Sequence, residues 1–385
     1  MIFDVLIIGG GLVGASLAAA LRLSGLSVAL VESQPISVSQ HGWDNRIYAI
    51  SPGSAAFLTE CGAWQGLDMS RVQQVEAMRV FGDGDAQLDF GAYQLGAPEL
   101  AFILENRLLQ QALWQVLQQQ DNLTLFHPAR CASIEFHDDA ARIQLEDGRT
   151  LNAKLVVGAD GSDSWVRQQA GIIEFPTFYQ QHGVVANFTV EKPHRSTAFQ
   201  WFHPDDILAL LPLPQQHVSM VWSVSPDKSA TLLKLPHQEL CDQVAASSMH
   251  TLGALQMITP PASFPLRLLK LSQITKPRLA LVGDAAHNVH PLAGQGVNLG
   301  FRDAHQLAQI LQQRGAQQDC GNIRLLRRYE RARQEDVFSM QITTDILKKL
   351  FTNSNPLLRT VRNFGLAATN RFTPVKKFLA RHALN

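Results

Sequence analysis

Hydrophobic positions fall into two textures along the chain. Residues 3–8, 27–31, 154–158 and 279–282 are short, nearly continuous apolar runs, the pattern of strands buried on both faces of a parallel sheet. Helical spacings follow or separate them at 15–24, 53–61, 104–119, 302–314 and 323–350. Shorter strands are expected at 124–126, 132–136 and 142–145, with Asp147-Gly148 as a hairpin-like turn. From 175 to 275 the pattern changes to alternation, at 183–190, 196–202, 207–213 and 218–224, with Pro-rich turns and one helix near 237–249. The first texture predicts a doubly wound α/β domain. The second predicts an inserted, mostly antiparallel sheet that supplies a substrate-facing wall.

Three corners at the ends of the apolar runs carry candidate chemistry. The first run is followed at once by Gly9-Gly10-Gly11-Leu12-Val13-Gly14, then a helix, then a strand ending at Glu32. Strand, GxGxxG, helix, strand and acid form the dinucleotide fingerprint in its confirming context. Gly9 permits the tight turn, Gly11 lets backbone approach a pyrophosphate, and Gly14 allows the helix to pack closely on the strand. Glu32 is placed to accept from both hydroxyls of an adenosine ribose, which favours FAD or NAD over NADP.

The second corner, Asp160-Gly161, closes the 154–158 run and is followed by a helix opening with serine; a ligand corner and a capped turn would both be written this way. The third begins at Gly283-Asp284 and continues through 291–296 into a helix expected near Val297. Asp284 sits where an acid accepts hydrogen bonds from a sugar or polyol. Gly294, Gly296 and Gly300 clear side chains from the face a flat ligand would approach, and the helix N-terminus behind them favours negative charge. Arg46, in Asp44-Asn45-Arg46, and Arg107, in the first turn of the 104–119 helix, are cofactor contacts or solvated ion-pair members. His287 and His290 with Asp284 could be taken for a metal set, but no metal is expected.

Composition narrows the field. With 33 Lys and Arg against 33 Asp and Glu, nothing argues for nucleic acid as a partner. The neutrality conceals a basic end: residues 346–385 carry eight Lys or Arg and no Asp or Glu, beside many apolar side chains. That end would lie on an anionic membrane surface, dock a protein partner, or form a helix capping the core. The four cysteines are far apart, as free thiols in a reducing compartment are. The N-terminal apolar run lacks a basic region and breaks at glycines, so it does not read as a signal peptide, and no segment is apolar enough to span a bilayer. A cytoplasmic protein, soluble or peripherally attached to the inner membrane, is expected.

Taken together, HPLAGQGVNLGFRD at 290–303, DNRIYAIS at 44–51 and the three ordered corners resemble the class A FAD-dependent aromatic-ring monooxygenases. More narrowly, they resemble the ubiquinone-biosynthesis hydroxylases (UbiH, UbiI, UbiF and VisC-like), and the likeness covers nearly the whole chain. The resemblance implies a Rossmann-like FAD-binding domain from residues 1–75, 100–175 and 276–320, a substrate domain from 76–99 and 176–275, and a C-terminal helical region over 321–385. It implies that Gly9, Gly11, Gly14 and Glu32 hold the ADP half of FAD, with Arg46 and Arg107 at the cofactor. Asp284 would bind the ribityl chain, Pro291, Gly294, Gln295 and Gly296 would lie beside the isoalloxazine, and Asn298 would sit near its pyrimidine edge. The Asp160-Gly161 corner would serve both FAD and a visiting NAD(P)H. The implied activity is hydroxylation of a polyprenylated phenol, using NAD(P)H and O2, through oxygen added at flavin C4a. No residue of the chain is singled out as a catalytic base.

Overall fold

The computed structural model describes residues 2–35, 42–82, 87–288, 295–315 and 317–351. Strand Ile2–Ile8 is the centre of an eight-stranded sheet, flanked in parallel by Thr150–Gly158 on one side and Val28–Val31 on the other. Leu279–Leu281 and Leu123–Phe126 extend the parallel set at either side. Alternate side chains go to opposite faces, so each strand feeds two cores. Val5, Ile7, Val28, Leu30, Leu155 and Val157 pack against the helices Leu12–Ala20, Asn106–Gln118 and Gln295–Gln312. Leu6, Ile8, Ala29 and Val156 meet the hairpin Cys131–Phe136 with Ala141–Leu145 and the short helix Trp165–Gln169.

A second eight-stranded sheet is built mainly from Glu174–Val190, Thr197–Phe202, Ile207–Leu213, His217–Val224 and Ala262–Leu271. It is antiparallel throughout except where Thr197–Phe202 runs parallel to Ala77–Phe81, which in turn pairs with Gln87–Gly91. One face is sealed by Pro226–Leu232 and His237–Ser247, which bury Leu232, Leu240 and Val244 against Phe188, Trp201 and Trp222. The other face lines a cleft.

A three-stranded sheet, Ile47–Ile50, Ala101–Glu105 and Gln73–Val75, lies between the two. Here the helical pattern expected over 104–119 is shortened. Phe102, Ile103, Leu104 and Glu105 are buried in a central strand, and the helix starts only at Asn106. An apolar run before an amphipathic helix is ambiguous on spacing alone, and pairing on both edges decides it for strand. The first helix is displaced the other way: it begins earlier than the expected 15–24, at Leu12 inside the glycine fingerprint, and ends at Ala20.

Helix Ile323–Phe351 docks through Leu325, Leu326 and Tyr329, whose hydroxyl donates to Leu281 O at 2.9 Å. Among the described residues no helix is long and apolar enough to cross a membrane. The basic segment after residue 351 lies outside the described residues.

Candidate active site

At the first corner, Gly9 turns with φ +107°, and a Cβ there would fall 2.4 Å from Ala159 O. Gly14 is tighter still, since its Cβ would stand 2.0 Å from Gly9 O. Gly11 differs from both: its φ is −67°, and a Cβ would meet nothing within 4 Å, because it faces open cleft. So two glycines are required by the protein's own backbone, and the third is required only by what enters the cleft. Glu32 holds the loop from below. Its Oε2 accepts from Gly10 N at 2.6 Å and its Oε1 from Gln34 N at 2.7 Å, while Trp114 Nε1 donates to Gly10 O at 2.9 Å. Oε1 also accepts from Ser33 Oγ at 3.4 Å, so Oε2 is the oxygen that retains a lone pair for a further donor.

At the second corner, Asp160 accepts from Ser164 Oγ at 2.6 Å and from Val166 N at 3.0 Å. Its carboxylate therefore fastens the start of helix Trp165–Gln169, the capping alternative of the two that the letters allowed. Gly161, at φ +85°, and Ser162 face the cleft instead. Arg167, which the sequence did not single out, is buried behind them. It donates to Ser162 O at 2.9 Å and Ala285 O at 3.1 Å, tying the second corner to the third, and pairs with Glu174 at 2.7 Å.

Strand Leu279–Leu281 delivers the third corner. Gly283 has φ +60° and its N–H donates to Asp303 Oδ2 at 2.8 Å. Asp284 lies deep in the molecule, yet its side chain is exposed, because it opens onto the cleft interior. Among the described residues its carboxylate has no hydrogen-bond partner. Burial pushes this carboxyl up from its ordinary range, against the attraction of Arg46 and His287. Asp303 is fully buried, with Arg333 Nε at 2.6 Å and His287 Nε2 at 2.6 Å. Burial alone would raise the Asp303 carboxyl, but the attraction and hydrogen bonds of His287 and Arg333 outweigh it and hold it low.

His287 is thus engaged with Asp303; His290, Pro291 and Gly294 lie outside the described residues, and Gln295 is described only as the first residue of its helix. Gly296 faces the cleft, and nothing lies within 4 Å of where its Cβ would be. Asn298 borders the cleft too, but its amide is committed to backbone: Oδ1 accepts from Ser51 N at 2.9 Å and Nδ2 donates to Ala49 O at 2.8 Å. It anchors the helix to the three-stranded sheet.

Arg46 and Arg107 separate in role. Arg46 projects into the cleft, 5.6 Å over the Tyr48 ring. Arg107 pairs with fully buried Glu105 at 2.8 Å, and Glu105 also binds Arg71 at 2.5 Å and accepts from Asp44 N at 2.7 Å. Both arginines reach the Gly42 carbonyl, so this cluster clamps the segment that presents Arg46. Replacing Glu105 with alanine is expected to cost about 3–5 kcal/mol of stability, since two cations lose a buried partner. Denaturant unfolding of the cofactor-free protein measures it.

All three corners open on one cleft of about 930 Å³, which continues from Gly11, Arg46 and Asp284 to the uncovered face of the second sheet, with Met78, Phe90, Leu100, Leu211, Val221 and Phe264 among its walls. One end is lined by the glycine corners with Asp44, Arg46 and Asp284; the other is mainly apolar, with Gln200, Ser219 and Ser223 among its side chains. Among the described residues no three His, Cys, Asp or Glu side chains are grouped to hold a metal ion, and the four cysteines are free, with Cys61, Cys241 and Cys320 buried.

Comparison with known proteins agrees with this arrangement. A family described as "FAD binding domain" matches residues 3–342. The 3-demethoxyubiquinol 3-hydroxylase of Escherichia coli (strain K12) is 36% identical over 386 residues, spanning 99% of this chain and 98% of that protein. The mitochondrial ubiquinone biosynthesis monooxygenase COQ6 of Homo sapiens is 33% identical over 98% of this chain and 91% of its own length. Among solved structures, PqsL of Pseudomonas aeruginosa, described as a probable FAD-dependent monooxygenase, superposes with a TM-score of 0.81 at 22% identity, covering 96% of this chain and 100% of that one. The p-nitrophenol 4-monooxygenase PnpA of Pseudomonas putida gives 0.81 at 20% identity, covering 100% of this chain and 98% of its own; both structures share the fold. Identity above 30% along almost the whole length, on a chain with the FAD binding domain, makes this protein a member of the ubiquinone-biosynthesis hydroxylase family of FAD-dependent monooxygenases.

Proposed function

We propose that the protein is an FAD-dependent monooxygenase that uses NAD(P)H and O2 to hydroxylate the aromatic ring of a polyprenylated ubiquinone precursor. The observation that carries the reading is the continuous cleft, lined by the glycine corners and charged side chains at one end and by a mainly apolar sheet face at the other. Its residues fit FAD: Gly11 leaves room for a pyrophosphate against backbone, and Asp284 offers a carboxylate acceptor to a ribityl hydroxyl. Bound FAD would supply the reduction by NAD(P)H and the activation of O2.

The chain's own contribution is placement and field. Helix Leu12–Ala20 directs its free N–H groups toward the pyrophosphate position, and Glu32 stands where the adenosine ribose would bind. Helix Gln295–Gln312 presents Gly296 and Val297 to the cleft, so its N-terminal partial charge stabilises negative charge on a reduced ring. Gly161 and Ser162, held by Arg167, form the corner for NAD(P)H. The apolar sheet face takes a lipophilic ring and keeps water away from the reacting oxygen. In this reading residues 1–75, 100–175 and 276–320 form the cofactor unit, and 76–99 with 176–275 the substrate unit. The basic end, 346–385, holds the cytoplasmic protein at the membrane where its substrate resides.

Asp284→Ala should separate stability from binding. Because the Asp284 side chain opens onto the cleft, the melting temperature of the FAD-free protein should change little, while FAD affinity falls by about tenfold or more for the lost charged acceptor. Thermal melts and FAD titration read the two effects, and a parallel fall in both would contradict the assignment. Quinone analysis after deleting the gene in its native host tests the function: a prenylphenol lacking one ring hydroxyl should accumulate, and an unchanged quinone profile would count against it.

A further inference from the structure

The sheet face that walls the cleft is apolar at Val185, Ala198, Ala209, Leu211 and Val221, and polar at Gln200, Ser219 and Ser223. The ladder fixes how these polar groups stand. Gln200 is opposite Ala209, Ala209 is opposite Val221, and Val221 has Ser219 and Ser223 two residues away on either side. Gln200 is therefore two strand spacings, about 10 Å, from Val221, and the two serines flank Val221 diagonally, each about 12 Å from Gln200. The strand between them contributes only the Ala209 methyl at that level, which leaves a dip in the wall. A ring seated over Ala209 has an amide at one rim and hydroxyls at the other.

Both rims are withdrawn from solvent. Ser219 and Gln200 are 0% and 6% exposed, and Ser219 Oγ has no hydrogen-bond partner among the described residues. Directly opposite Ser219, Asn187 Oδ1 also lacks one, although its Nδ2 donates to Asp44 O at 2.8 Å. A polar atom left this way costs about 1–3 kcal/mol unless something in the cleft bonds it. Of the cleft's charges the one nearest Ser219 is an acid, Asp44, whose carbonyl holds Asn187; Arg46 lies with Asp284, and Arg267 is paired with Asp163 at 2.7 Å.

We propose that Ser219 and Gln200 bind the phenolic oxygens of the substrate and orient its ring, and that this face selects a neutral, uncarboxylated phenol. A phenolic hydroxyl both donates and accepts, as do a serine hydroxyl and a glutamine amide. A carboxylate at the same place would be buried with no cation on that face, which is strongly unfavourable. The assignment rests on the prenylphenol reading above and adds to it which side chains read the ring.

The test uses the FAD-loaded protein, with 2-geranylphenol and geranylbenzene as probes and calorimetry as the readout. Wild type should bind the phenol about 10- to 100-fold more tightly than the hydrocarbon. Ser219→Ala and Gln200→Leu should each shrink that preference by weakening the phenol alone, with geranylbenzene binding unchanged or tighter. Equal weakening of both ligands, or an undiminished preference in the double variant, would overturn the assignment. If wild type binds neither ligand, the prenylphenol reading falls, and this assignment with it. If wild type binds both equally, the prenyl site stands and only the hydroxyl recognition fails.

Discussion

Gly14→Ala is expected to yield a poorly folded, flavin-free protein, whereas Gly11→Ala should yield a folded one that binds FAD about 100-fold more weakly. The difference follows from what each added methyl would meet. At Gly14 it would stand 2.0 Å from the Gly9 carbonyl oxygen, backbone against backbone in the first turn of the helix, and neither side can yield without moving strand Ile2–Ile8. At Gly11 the methyl meets no protein atom within 4 Å and the backbone is in an ordinary extended conformation, so the cost appears only when a pyrophosphate approaches. Circular dichroism and melting curves of the FAD-free proteins, beside FAD titrations, separate the two. Equal behaviour of the variants would mean that Gly11 does not face the cofactor.

Asp303→Asn should destabilise the protein by about 3–5 kcal/mol, lowering the melting temperature by about 4–6 °C. Arg333 would lose its buried partner, and the Gly283 N–H and His287, both bonded to the same Oδ2, would share one weaker acceptor. Because Asp303 is held below the usual carboxylate range when folded, its contribution is fully present above about pH 4. It is lost as pH falls through the lower folded value, so wild type and variant should converge in stability under acid. Asp336→Asn, at a half-buried site on the far side of Arg333, should have a much smaller effect. FAD affinity of Asp303→Asn should fall as well, since the Gly283 turn positions Asp284. Equal stability of the Asp303 variant and wild type at neutral pH would refute the network.

The main sheet and the glycine corner were legible in the sequence because each signal was local and strong. An apolar run ending in GxGxxG leaves little room for another reading, and the alternation at 207–213 and 218–224 matches two strands of the second sheet almost residue for residue, while that at 183–190 marks only the second half of Glu174–Val190. What spacing could not carry were roles decided by distant partners. Asp160 fits a ligand corner and a capped turn equally, and its carboxylate accepts from Ser164 and Val166, four and six residues on; Asn298, expected near a ring edge, bonds the backbone of distant Ala49 and Ser51. Arg107 stands within the expected neighbourhood, yet it acts through Glu105, a residue hidden in what looked like a helix. Asp303 carried a weak signal, a charge on the buried side of an amphipathic helix among Leu299, Ala304 and Leu307, a placement that requires a partner. Gln200 and Ser219 carried none, because two polar letters in an alternating strand are indistinguishable from solvent-facing positions until the other face is seen to be covered by helices.

The central claim is that this cleft transfers one atom of dioxygen to a prenylated ring. Its most direct test is turnover of the purified, FAD-loaded protein with NAD(P)H, a prenylphenol and isotopically labelled oxygen gas, followed by mass spectrometry of the product. The account predicts a product heavier by one labelled oxygen atom, formed only when protein, NAD(P)H and O2 are all present. Oxygen of solvent origin in the product, or NAD(P)H consumed under O2 with the phenol recovered intact across a range of prenylphenols, would contradict it.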